Sequence, residues 1–158
     1  MNTITHSEEE TKEYGRNFAR LLKAEDVVIL AGPLGAGKTV FIKGAVSQLC
    51  GPRVRVRSPS FTLVRQYSAR NITVFHIDLY RIQKMRELFE LGYEDYFYSP
   101  RGISFIEWGE RVESALSRYI KVTISLKTAG SRKITVTQKG YPRTRFLKAQ
   151  VSDTERKA

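Results

Sequence analysis

The stretch AGPLGAGKTVFIKG, residues 31–44, begins on the last residue of the apolar run VVILA (27–31) and leads into a second apolar segment. Three glycines between a buried strand and a helix need a backbone reason, because glycine loses more conformational freedom on folding than any other residue. The reason lies in GPLGAGKT, Gly32 to Thr39, which satisfies G-x-x-x-x-G-K-[ST]. In such a loop the backbone amides cradle phosphates, the lysine reaches the outer phosphates and the hydroxyl binds magnesium. The following helix adds an N-terminus whose dipole favours negative charge. Val40 stands where many such loops carry a second hydroxyl, and its backbone amide still donates.

The rest of the chain supplies the frame. Its 158 residues, 41% of them apolar, suffice for one well-buried domain, expected over 1–151, with a frayed polar tail at 152–158. No segment reads as a signal peptide or a bilayer span, and the lone Cys50 has no partner for an internal disulfide. Both observations fit a cytoplasmic protein. The net charge of +11 points to polyanionic partners and is unevenly spread. Gly51 to Arg70 and Arg118 to Lys148 contain no acid, whereas acids gather at Glu8 to Glu10 and from Glu87 to Glu113.

Periodicity gives alternating helices and strands around a mainly parallel sheet. Ser7 and Glu10 have capping-box spacing, and Tyr14, Phe18 and Leu21 recur at helical intervals, so a helix is expected to about Lys23. After the glycine loop, a helix carries Phe41, Ala45 and Leu49 on one face until Gly51-Pro52 stops it. RVRVR, Arg53 to Arg57, reads as a strand with one basic and one apolar face. ITVFHID and GISFIEW read as strands closing on acids, with MRELFEL between them as a short helix ended by Gly92. IKVTISL and KITVT, around the turn signal TAGS, form a C-terminal hairpin.

Magnesium in a site of this kind needs an acid at the end of a neighbouring strand. Asp78 and Glu107 both qualify, and the cleaner apolar run before Glu107 favours it for the metal. Asp78 is then left to polarise the attacking water or to hold a metal-bound water. His76 shares a strand face with Asp78 and reads as a packed, hydrogen-bonded residue rather than a catalyst.

Taken together, GPLGAGKT, SPSFTLV (58–64), FHIDLYR (75–81), ELFELGYEDY (87–96) and IEW (106–108) resemble the bacterial TsaE (YjeE) ATPase family in order and spacing, from about Ser7 to Arg132. The resemblance implies a P-loop NTPase fold. It also implies an ATPase that acts with TsaB and TsaD in making N6-threonylcarbamoyladenosine beside the anticodon of tRNAs reading ANN codons. Carried onto this sequence, it makes Leu34, Gly35, Ala36, Gly37, Lys38, Thr39 and Val40 the ATP phosphate contacts, and gives Mg2+ to Thr39 and Glu107. Lys38, Asp78, Glu107 and Trp108 become the catalytic group, with Trp108 sensing the nucleotide. Ser60 and Thr62 fall in the loop that responds to the γ-phosphate. Adenine is expected between Ser7, Thr11 and Arg132. Pro33 departs from the family's more usual aspartate, and Ser60 from its threonine.

Two other classes share the loop: a small P-loop kinase, and a nucleotide-dependent RNA-binding module without turnover. The sequence has no arginine-rich lid helix to favour the kinase. Arg53, Arg55 and Arg57 offer phosphate contacts to tRNA, or alternatively a solvated edge that resists aggregation.

Overall fold

The computed structural model describes residues 1–128 and 130–142. The expected domain end and polar tail lie outside the described residues. Ten main elements alternate along the chain: β1 (Asn2–Thr5), α1 (Glu8–Ala19), β2 (Val27–Ala31), α2 (Lys38–Cys50), β3 (Val64–Ser68), β4 (Thr73–Asp78), α3 (Met85–Glu90), β5 (Gly102–Glu107), β6 (Tyr119–Leu126) and β7 (Arg132–Lys139).

VVILA is apolar throughout because β2 is buried on both faces. Val28 and Leu30 join one core with Phe18, Phe41 and Ile42 from α1 and α2. Val27 and Ile29 join the opposite core with Phe75, Ile77, Ile106 and Leu88. The seven strands lie in the order β1-β7-β6-β2-β5-β4-β3. The central four, β6-β2-β5-β4, are parallel, and antiparallel pairs flank them on both sides. β5 is inserted between β2 and β4, so the strand that ends in Glu107 sits between the glycine loop and the strand that ends in Asp78.

The helix pair α1 and α2 crosses at glycines. A Cβ built on Gly44 would lie 1.8 Å from the Lys12 carbonyl oxygen, and one on Gly15 would lie 2.2 Å from that of Phe41. Bare backbone therefore lets the two helices touch. Ser7 caps α1, accepting from the Glu10 amide at 3.1 Å. The return contact goes one residue further back, from the His6 amide to Glu10 Oε2 at 2.7 Å. The helix ends at Ala19, short of the expected Lys23, as Arg20 and Leu21 turn on three-residue bonds.

The expected strand Arg53 to Arg57 is absent. The segment has no ladder partner, although its alternation survives: the three arginines are exposed, while Val54 and Val56 pack on the α1/α2 core. Pro52 and Pro59 bracket it, and the sheet edge is taken by β3. The Tyr67 hydroxyl of β3 ties it down, accepting from the Arg57 amide and donating to the Arg57 carbonyl, both at 3.3 Å. Two edge strands, β1 and β3, lie outside the sequence expectations.

Candidate active site

The glycine loop is shaped by what surrounds it. Gly32 has φ +143°, and a Cβ there would meet the Ile124 carbonyl oxygen at 2.2 Å, so only glycine lets the chain leave β2 beside β6. Gly37, at φ +102°, turns the chain into α2. Arg132 of β7 braces this turn from behind, donating from Nε to the Ala36 carbonyl at 3.1 Å.

Lys38 and Thr39 open α2 and face the strand ends. Lys38 is 4% exposed; its ammonium donates to the Gly32 and Pro33 carbonyls at 2.8 and 2.9 Å and lies 4.0 Å from the Trp108 ring centroid. Burial lowers its pKa, while the charges of Glu107, Glu110 and Asp78 pull it back up. The Thr39 hydroxyl donates to Glu107 Oε1 at 2.8 Å. His76 Nε2 meets the same oxygen at 2.8 Å.

Asp78 lies opposite Glu107 in the β4-β5 register. Its Oδ2 accepts from Ser58 at 3.2 Å and Ser60 at 3.0 Å, and these two hydroxyls contact each other at 2.7 Å. Its Oδ1 accepts from the Tyr80 amide at 2.9 Å. The loop before β3 is thus fastened to the site through one carboxylate. Trp108 adopts φ +60°, a left-handed conformation costly for a bulky residue, and packs 5.2 Å from Tyr80.

These groups line a cleft of about 400 Å³. Leu34, Gly35, Gly37, Lys38, Thr39, Val40, Ser60, Asp78, Glu107 and Trp108 all border it. The remaining expected residues do not. Ala36 and Thr11 are fully buried, Thr11 sharing a 2.8 Å hydrogen bond with Thr5. Ser7 is engaged as the α1 cap, Arg132 stands behind the loop, and Thr62 is exposed outside the cleft. Sequence reasoning missed Glu8, Ser58, Tyr80 and Arg81 as lining residues. Ser58, Tyr80 and Arg81 lie inside the quoted SPSFTLV and FHIDLYR segments, which was the available signal.

A sequence profile described as "Threonylcarbamoyl adenosine biosynthesis protein TsaE" matches residues 5–134. The chain belongs to the TsaE family. Its similarity to curated TsaE proteins is broad. It is 41% identical over 138 residues to the "tRNA threonylcarbamoyladenosine biosynthesis protein TsaE" of Treponema pallidum, covering 86% of this chain and 99% of that one. It is 37% identical over 138 residues to the protein of the same name from Bacillus subtilis, covering 86% and 84%. The crystal structure of YdiB from Bacillus subtilis superposes with a TM-score of 0.77 at 28% identity, over 98% of this chain and 95% of that one. In the TsaE chain described here, the family match spans every cleft-lining residue. Among the described residues no helix is long and apolar enough to cross a membrane.

Proposed function

We propose that this TsaE chain is a cytoplasmic, magnesium-dependent ATPase. It acts with TsaB and TsaD in forming N6-threonylcarbamoyladenosine at the adenosine beside the anticodon of tRNAs reading ANN codons. The observation that carries the reading is the convergence of Lys38, Thr39, Glu107 and Asp78 on one cleft at the strand ends. The donor chemistry fits magnesium: the Thr39 hydroxyl and Glu107 carboxylate are hard oxygen donors 2.8 Å apart. Among the described residues there is no group of three or more His, Cys, Asp or Glu that could hold a metal. Magnesium accepts such a sparse protein contribution, because it takes one or two protein oxygens and completes its shell with phosphates and water. Bound there, it would draw charge from the phosphate oxygens.

The residues divide the work as follows. Amides of the glycine loop and the Lys38 ammonium bind the phosphates. Thr39 and Glu107 hold the metal, Thr39 keeping its lone pairs free while its proton goes to Glu107. Asp78, held through both oxygens, orients the attacking water or a metal-bound water. Trp108 stacks over Lys38 and keeps water from it. Adenine lies towards Glu8 at the start of α1, the one residue of that helix that borders the cleft. The exposed Arg53, Arg55 and Arg57 carry tRNA phosphate contacts.

Incubation of the chain with labelled ATP, with and without magnesium, tests the activity. Released phosphate supports the ATPase; label on a small acceptor would make it a kinase, and no turnover would leave a binding module. A pull-down with TsaB and TsaD, with and without ATP, tests the assembly.

A further inference from the structure

His76 lies in the middle of β4, fully buried, with a ring nitrogen 2.8 Å from the oxygen of Glu107 that also receives the Thr39 proton. An ionised carboxylate only accepts, so Nε2 carries the hydrogen of this contact. The other ring nitrogen, Nδ1, is buried among the described residues without a hydrogen-bond partner. That arrangement is informative. A buried histidine kept for packing alone would gain nothing over an apolar side chain of similar size, yet would still carry an unsatisfied nitrogen. Its neighbours in register are Phe105 on β5 and Arg65 on β3, and neither hydrogen-bonds to the ring. Among the described residues, the ring's one polar contact is with Glu107.

We propose that His76 is a positioning residue for the metal-holding carboxylate. Its Nε2–H fixes Glu107 Oε1 from inside the sheet, while Thr39 fixes the same oxygen from α2. Two donors on one oxygen restrict the rotation of the carboxylate, and neither of them occupies Oε2. Groups that hydrogen-bond to metal-bound side chains in this way typically contribute 10–100-fold to metal affinity. His76 itself touches neither nucleotide nor metal. The proposal rests on the reading of Glu107 as the metal-holding residue.

The test separates the two. Binding of a non-hydrolysable ATP analogue is measured by calorimetry across a magnesium titration and again in chelator. His76→Leu is expected to raise the magnesium concentration for half-maximal effect about tenfold, with analogue affinity in chelator unchanged. His76→Gln, which can offer an amide N–H to Glu107, is expected to recover most of the loss. A lowered melting temperature with an unaltered magnesium dependence in His76→Leu would reduce His76 to a packing residue. Equal losses in the Leu and Gln variants would show that the donor is irrelevant. Glu107→Gln is the control: if it leaves the magnesium dependence intact, the metal assignment itself fails. Should His76→Leu not fold, the intact protein still decides. It contains two histidines, His6 exposed and His76 buried, so long-range 15N spectra resolve each ring. A hydrogen on Nε2 is expected for His76, and a ring with Nε2 unprotonated overturns the proposal.

Discussion

Lys38 concentrates the consequences of single side chains. Its ammonium is held by two loop carbonyls and the Trp108 face, and the residue is almost entirely buried. Hydrogen bonds to a charged group contribute about 1.5–3 kcal/mol each. Lys38→Ala is therefore expected to weaken ATP binding by roughly 100-fold or more, measured calorimetrically with magnesium; wild-type affinity would remove the phosphates from this loop. The two acids differ in their partners, Glu107 bonding Thr39 and His76, and Asp78 bonding Ser58, Ser60 and Tyr80. Glu107→Ala should weaken magnesium-dependent binding, whereas Asp78→Asn should bind ATP and fail to cleave it. Reversed phenotypes in single-turnover assays would exchange the roles. Away from the cleft, Tyr119 donates to Glu113, which also pairs with Lys121 at 2.6 Å. Burial first, and then the Glu113 carboxylate, push the Tyr119 phenol up to about 12 from its ordinary 10.0. The folded chain keeps this proton between those values while the unfolded chain loses it, so the tyrosine's contribution is present below pH 10 and lost towards pH 12. The stability advantage of wild type over Tyr119→Phe, from urea denaturation, should shrink across that window.

At the scale of elements, the α1-α2 crossing is the most exacting contact. Because a Cβ on Gly44 would lie 1.8 Å from a backbone oxygen, Gly44→Ala forces the helices apart. Overpacking of this kind costs about 1–3 kcal/mol or more. A melting temperature lowered by several degrees is expected, and an unchanged one would mean that the helices are free to shift. The elements also show what a sequence exposes. VVILA was legible because burial on both faces leaves no polar position; Ser7 marked the start of α1, and Gly37 and Gly51 marked the start and stop of α2, whereas nothing in the sequence marked the end of α1 at Ala19. β1 and β3 were not, because edge strands carry mixed patterning whose meaning depends on a partner far along the chain. RVRVR misled differently. Its alternation correctly forecast two faces, but alternation says nothing of backbone pairing, and β3 holds the edge. The glycine loop and both acids could be read locally from motif and strand end. The serine clasp on Asp78 could not, since it depends on how the loop before β3 folds back over β4.

For the molecule as a whole, charge is the dominant feature. At +11, with Arg53, Arg55 and Arg57 all exposed in the segment that leads to the cleft residue Ser58, the chain offers a cluster of cations close to it in sequence. Removing a cation from one nucleic-acid phosphate lowers the slope of log affinity against log salt by about 0.7–0.9. Replacing all three arginines with glutamine should weaken tRNA binding and flatten that slope by about 2–3, with ATP hydrolysis by the isolated protein little changed. An unchanged slope would exclude tRNA binding through this face, and failure to capture TsaB and TsaD at constant slope would reassign it to protein docking. The glycine contact between α1 and α2 also makes the two walls of the cleft unequal. It seats α2 against bare backbone, and Arg132 braces the glycine loop through the Ala36 carbonyl, so the α2 side of the cleft is closely packed. The opposite wall is held by two serine hydroxyls on one carboxylate and carries Phe61, 84% exposed, at its tip. If the cleft takes ATP as proposed, the wall that carries Phe61 is the one expected to respond: the amides of residues 60–63 should change their hydrogen-exchange rates on ATP binding while those of α2 keep theirs.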